Sequence, residues 1–295
     1  MDIVNKKLEH ILPIGFSCAE VPYWVKEEGA VYFADTENPR IAKYTPATAE
    51  LEVYQVPYNF QSIAKCENGK WIGTVTNGVV IWDQEKNSCR YLGNPESEKR
   101  SFFLNDGTVD AEGRFFFGSY DHENLEGGTG SVYMVDHDLS IKQVATGFSV
   151  CNGMVFSLDN STFYMSEQFG GRIIAMDWNE KELKLENLRT AYKLPEEKGL
   201  PDGLIMDSEG MLWVAHWWGW QISRVSPEGE LLAEIPVPVK TPTCMAFIGE
   251  NLDTLFITTA IKAVEEEDLK NGHKAGDIFQ IQLNITGREE TRYKE

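Results

Sequence analysis

The chain has 295 residues, 42% of them hydrophobic and 12% aromatic, which supplies a sizeable core and sets it apart from disordered compositions. Its formal charge of −19 argues against nucleic acid or an anionic membrane as a partner, since both select basic faces. No stretch approaches the roughly 18 apolar residues of a transmembrane helix, and "MDIVNKKLEHILPIGF" has no apolar h-region of a secretory leader.

Five cysteines, Cys18, Cys66, Cys89, Cys151 and Cys244, are an odd number without metal-site spacing. They read as free thiols in a reducing cytoplasm. Without a leader, the sequons at Asn160 and Asn284 are chance matches.

In chain order, "KLEHILPI" is the first strand candidate, and a repeating unit follows it. "EEGAVYFAD" (27–35) returns as "ENGKWIGTV" (67–75), "AEGRFFFGS" (111–119), "DNSTFYMSE" (159–167), "SEGMLWVAH" (208–216) and "NLDTLFITT" (251–259). Aligned on Gly29, Gly69, Gly113, Ser161, Gly210 and Asp253, the copies stand 40 to 49 residues apart, the spacing of propeller repeats. Each copy pairs a small or polar turn with β-branched and aromatic residues, a hairpin signature. Strand-like stretches precede each turn: "VPYWV", "SIAKC", "TVDA", "GMVFSL", "GLIMD" and "CMAFI". Outer-strand candidates such as "GVVIWD" and "ELEVYQV" follow it. Four short strands in each of six units predict an all-β, six-bladed β-propeller forming one domain over 1–295. The N-terminal "KLEHILPI" is placed to join the last blade and close the ring. The competing arrangement is a β-sandwich with long insertions, which the regular spacing disfavours.

In a propeller the leading ends of the innermost strands open onto one face. Counting back from each aligned turn puts Glu20, Gln61, Asn105, Asn152, Asp202 and Thr243 there, six polar residues in one frame. Asn-Gly and Asp-Gly pairs are common turn dipeptides, so Asn152 and Asp202 singly are explained by turns. Glu20 has no glycine after it, and that explanation fails for it. Carboxylates converging with amides, Asp106 beside Asn105 included, repel one another unless a cation lies between them. Every donor is oxygen. One divalent ion follows, Ca²⁺, Mg²⁺ or Mn²⁺ by hardness, with Zn²⁺ also open.

The ordered set "AEVPYW", "LNDGTVDAEGRFFFGS", "NGMVFSLDNSTFYMSE" and "LPDGLIMDSEGMLWVAHW" resembles the senescence-marker-protein, gluconolactonase and luciferin-regenerating-enzyme family across essentially the whole chain. The resemblance implies a metal in the central channel held by Glu20, Asn152 and Asp202, with Asp202 also the general base. It implies substrate contacts at Asn105 and, in some members, at the position of Glu123. It implies hydrolysis of aldonolactones to aldonic acids, with other esters and organophosphates as the substrates of relatives. Two residues depart from the family pattern. Phe103 stands where sugar lactonases commonly carry Arg, and a phenyl ring cannot donate a guanidinium's hydrogen bonds. Val21 replaces the usual glycine after the metal-binding Glu. Arg100 is near Phe103 but out of frame.

His216, followed by Trp217, Trp218 and Trp220, offers a substrate wall, against which stands inter-blade packing as an equal explanation. His122 and Glu123 sit on a Gly-rich loop long enough for a lid. No Gly-x-Ser-x-Gly or His-Glu-x-x-His occurs, which leaves serine-esterase and zincin chemistry without support. The expected activity is that of a divalent-metal-dependent lactonase acting on a small sugar-acid lactone, in a monomer or weak homo-oligomer of the cytoplasm. The alternatives are a metal-dependent hydrolase of non-sugar lactones, esters or organophosphates, and a metal-binding regulatory propeller that turns nothing over.

Overall fold

The structure, a computed structural model, describes residues 3–270 and 273–295. Six four-stranded antiparallel sheets form a six-bladed propeller, with the strands of blades 1 to 5 in sequence order from the innermost outward. The inner strands of blades 1 to 6 are Ala19–Val25, Ala64–Lys65, Phe102–Val109, Cys151–Phe156, Leu200–Met206 and Pro242–Ile248. Blade 6 takes its outermost strand, Glu9–Leu12, from the other end of the chain. There His10 lies opposite Phe279 and Leu12 opposite Ile278, so the N-terminal stretch closes the ring as expected. The sandwich arrangement is excluded.

Blade 3 shows why these residues make these strands. In its turn, the Asp110 carboxylate accepts the backbone N–H groups of Glu112 and Arg114 at 3.1 and 2.8 Å. Gly113 sits at φ 86°, where a side chain would be strained. The next strand, Phe115–Asp121, opens with three fully buried phenylalanines. A middle strand of a propeller is covered on both faces by neighbouring blades, so in–out alternation gives way to an unbroken apolar run. Phe116 meets Phe156 of blade 4 edge-on at 4.9 Å, while Phe115 and Phe117 share a cluster with Trp71 and Trp82 of blade 2. The core therefore lies between the blades. Outer strands such as Glu50–Gln55 are mostly exposed and read as polar alternation.

The inner strands start earlier than the sequence suggests, and the difference matters for function. Pairing with the second strand is interrupted between Glu20 and Tyr23, Leu104 and Gly107, Asn152 and Met154, Pro201 and Leu204, and Pro242 and Met245. Each interruption is a β-bulge, a device that re-aims a side chain without ending the strand. The polar residues picked out by the repeat thus sit inside five of the six inner strands, not ahead of them. In blade 2 Gln61 precedes a two-residue strand.

At the opposite end of the channel the segment from Thr286 to Lys294 crosses the blades. It bonds backbone to backbone with Ser208, Leu252, Lys65 and Gly113 at 2.7–2.9 Å. All five cysteines are free. Among the described residues no helix is long and apolar enough to cross a membrane.

Candidate active site

The bulges gather three buried carboxylates, Glu20, Asp106 and Asp202, at the wide end of the channel. Their local hydrogen bonds share one form. Glu20 Oε2 accepts the N–H of Val21 at 2.9 Å, Asp106 Oδ1 that of Gly107 at 3.2 Å, and Asn152 Oδ1 that of Gly153 at 3.1 Å. Asp202 Oδ1 accepts from the Asn152 amide and, at 3.4 Å, from Gln168 Nε2. Asp202 Oδ2 is buried with no hydrogen-bond partner among the described residues.

The Asn-Gly and Asp-Gly pairs are not turns. A Cβ on Gly153 would lie 2.3 Å from the backbone N of Leu204, and one on Gly203 would lie 2.5 Å from Cys244 Sγ. The glycines let neighbouring inner strands touch, and that contact brings Asn152 against Asp202. At Val21, where the family pattern has glycine, φ is +48°. A β-branched residue in that region is strained by roughly 1–3 kcal/mol, a cost incurred one residue from Glu20.

Burial raises all three acids. It pushes Asp202 well above the usual carboxylate range with help from Asp106, and Glu20 with help from Asp202 and Asp106. Asp106 is pushed up to about 7, mainly by burial. Mutual repulsion and an orphaned oxygen are what a cation would relieve. Among the described residues no three His, Cys, Asp or Glu side chains alone make a metal-holding group. An ion here would draw on the neutral amide oxygen of Asn152 beside the carboxylates of Glu20 and Asp202. That all-oxygen set fits a hard divalent cation.

A cavity of about 430 Å³ stands over these groups, and its walls divide sharply. Blades 6, 1 and 2 contribute mostly polar side chains, among them Thr36, Glu37, Asn59, Gln61 and Lys262. Blades 3, 4 and 5 contribute the floor residues Asn105, Asp106, Asn152 and Asp202, then Gln168, and otherwise mainly apolar surface from Phe103, Tyr120, Leu125, Phe169, Trp217 and Trp218. Phe103 is held edge-on to Tyr120 at 6.0 Å and stacked on His122 at 4.2 Å. Among the described lining residues Lys262 is the one cation, and its Nζ donates to Glu37 Oε1 at 2.5 Å.

The expected site residues fare differently. Glu20, Phe103, Asn105, Asn152 and Asp202 all line the cavity. Asn105 donates Nδ2 to the Cys151 carbonyl at 2.9 Å, which leaves its oxygen toward the site. His216 is not on the wall. It is 1% exposed, with Nδ1 2.8 Å from the Lys198 carbonyl, and burial holds its imidazole below the ordinary value. Strand alternation explains this, because Trp217 faces the cavity and its neighbour therefore faces away. Glu123 and Arg100 are exposed and outside the lining. Thr243 is spent on the seam between blades 6 and 1, donating to the Ala19 carbonyl at 2.6 Å. Lys262 escaped the sequence reading because it lies in the long 260–277 connection, outside the repeat frame.

Residues 18–261 match the family described as SMP-30/Gluconolactonase/LRE-like region. Regucalcin of Oryctolagus cuniculus is 30% identical over 280 residues, covering 93% of this chain and 94% of its own. A luciferin-regenerating enzyme superposes with a TM-score of 0.89 at 26% identity, over 98% of this chain and 99% of its own. A calcium-binding protein, regucalcin, from Agrobacterium tumefaciens reaches 0.90 at 22% identity over 97% of each chain, which shows the shared fold.

Proposed function

The chain belongs to the SMP-30/gluconolactonase/LRE-like family, and from that premise we propose that it is a divalent-metal-dependent lactonase, opening a sugar-acid lactone to its hydroxy acid. The observation that carries the reading is the orphaned Asp202 Oδ2 beside Glu20, Asp106 and Asn152 on the floor of a small-molecule cavity. The calcium-binding description of the Agrobacterium relative agrees with the donor set.

Glu20, Asn152 and Asp202 would hold the ion, which when bound polarises the lactone carbonyl and offsets the charge that gathers on its oxygen. Asp202 takes the proton of the attacking water: its Oδ2 has two lone pairs and no hydrogen-bond partner among the described residues, which leaves capacity for both an ion and a water. Its basicity beside a cation comes from position rather than from a high pKa. Asn105 offers its free oxygen to a substrate hydroxyl while its nitrogen stays anchored to Cys151. The new C–O bond forms from water, the ring C–O bond breaks, and the released alkoxide takes the proton that Asp202 removed from the water, giving the hydroxyl of the product. The apolar surface of blades 3, 4 and 5 lowers the local polarity on that side of the centre and strengthens these interactions.

A second reading, a hydrolase of non-sugar lactones or esters on the same centre, is favoured by Phe103 and its stack on His122.

The test is lactone opening followed with a pH indicator on chelated protein, after each divalent ion is returned, with Asp202→Ala in parallel. Activity restored by an ion and absent in the variant is the expected result. Tight ion binding with no turnover of any lactone or ester would replace the proposal with a metal-binding regulatory propeller.

A further inference from the structure

The division of the cavity wall has a consequence for substrate class, which rests on the lactonase reading. One half, over blades 6, 1 and 2, presents donors and acceptors in alternation. Gln61 is anchored by Nε2 to the Thr36 carbonyl at 3.1 Å, leaving its oxygen to accept. Lys262 and Glu37 stand as a donor–acceptor pair at 2.5 Å, and Lys262 is fixed at its backbone by the Ser17 carbonyl at 2.8 Å. A salt-bridged pair is poorly suited to capturing a free anion, because the cation is already neutralised. It is well suited to adjacent hydroxyls, one accepting from the ammonium and one donating to the carboxylate.

The other half is mainly ring and aliphatic surface, from Phe103, Leu125, Phe169, Trp217 and Trp218, with Tyr120 and Gln168 as its polar members. The Trp218 indole N–H is already committed to the Ala263 carbonyl at 3.0 Å, so that ring presents only its apolar surface. Trp218 is also held at φ +66°, a conformation costly for a non-glycine residue. A bare polyhydroxy lactone would leave hydroxyls unpaired against this wall, and each such mismatch costs affinity. A wholly apolar lactone would leave the Gln61 oxygen, the Asn59 side chain and the hydrogen-bonding capacity that Lys262 and Glu37 do not spend on each other unanswered.

We infer that the substrate is amphipathic: a lactone with hydroxyls on the edge facing Lys262 and Glu37, and an apolar substituent, aryl or alkyl, on the edge facing Phe169 and Trp217. On this assignment Lys262 supplies from blade 6 the donor that Phe103 withholds in blade 3. The specificity of the centre is then set by two walls that act on different parts of one molecule.

Three lactones separate the walls: glucono-1,5-lactone, its 6-O-benzyl ether, and δ-nonanolactone, which has no hydroxyls. The benzyl ether is expected to exceed glucono-1,5-lactone in kcat/KM by about tenfold or more, the scale set by burying an apolar substituent. Phe169→Ala reduces the benzyl ether more than glucono-1,5-lactone. Lys262→Met, which keeps the stem, reduces the two hydroxylated lactones about tenfold more than δ-nonanolactone. Equal rates for the benzylated and plain sugar lactones, or variants that move all three lactones together, overturn the inference and leave the lactonase reading intact. If no lactone is opened with any ion, the lactonase reading fails, and binding still decides the inference. Tryptophan fluorescence of chelated protein, titrated with gluconate and with its 6-O-benzyl ether, must then show about tenfold tighter binding of the ether, diminished in Phe169→Ala. Equal affinities sink the inference on that route too.

Discussion

Carboxylates that face the channel and carboxylates buried within the blades and their turns are treated in opposite ways. In its blade turn, Asp207 is fully buried and fully answered. Its Oδ1 accepts from Glu209 and Met211 N–H at 2.9 and 3.0 Å, and its Oδ2 from Trp213 Nε1 and Arg224 Nε at 2.9 and 2.8 Å. Asp110 in blade 3 is tied to Arg114 Nε at 2.8 Å in the same fashion. At the bulged end, Glu20, Asp106 and Asp202 are buried too, face one another, and among the described residues find no guanidinium or ammonium in hydrogen-bond contact. The contrast teaches how to tell structural acids from working ones in a repeat fold. An acid supplied with a fixed partner stabilises the turn, and an acid left open within a cluster of its own charge is poised for a ligand.

The contrast can be broken from either end. Asp202→Ala should abolish ion binding in calorimetry and lower kcat/KM by about 10²–10³-fold or more, as expected when transition-state charge stabilisation is lost. Asp207→Ala should leave ion affinity in place and cost about 3–5 kcal/mol of stability, because Arg224 and Trp213 Nε1 lose a buried partner; a denaturant melt reads it. The open cluster also makes a pH prediction. Burial and mutual repulsion raise the folded-state pKa values of Glu20, Asp106 and Asp202, so ion-free protein holds its full advantage below the ordinary carboxylate range. It loses that advantage as pH rises through about 7, where Asp106 ionises. Ion-free protein should therefore melt lower at pH 8 than at pH 5, by on the order of a few kcal/mol. Added Ca²⁺ should raise the melting temperature more at pH 8; a melting temperature that climbs with pH in chelator would contradict the account. The smallest effect belongs to Glu123→Ala. That side chain is exposed and off the wall, so kcat/KM should stay within about twofold of the parent.

Much of this was legible in the sequence because repetition does the work of an alignment. Six copies of a hairpin pattern predicted six blades, and the shared frame exposed six polar residues, Glu20, Asn152 and Asp202 among them. What the frame could not convey was why glycine follows two of them. A turn and a close strand contact use the same residue, and only the neighbouring strand, Leu204 for Gly153, distinguishes them. The substrate shell was harder still. Trp217 and His216 are adjacent letters with opposite facings. Lys262 belongs to a connection with no counterpart in the other blades. Val21 was visible as a departure from the family pattern, but its positive φ was not.

The strand that closes blade 6 bears on how the molecule is made. His10 and Phe279 are opposite one another in space and near opposite ends of the chain. A chain emerging from the ribosome can assemble blades 1 to 5 in order, yet the ring cannot shut until Ile278–Gln282 has been synthesised and Glu9–Leu12 is still free to join it. Closure is thus a late, long-range event with a large loop entropy to overcome. Until then Ile278–Gln282 presents an unpaired edge, the kind of surface through which nascent chains associate with one another.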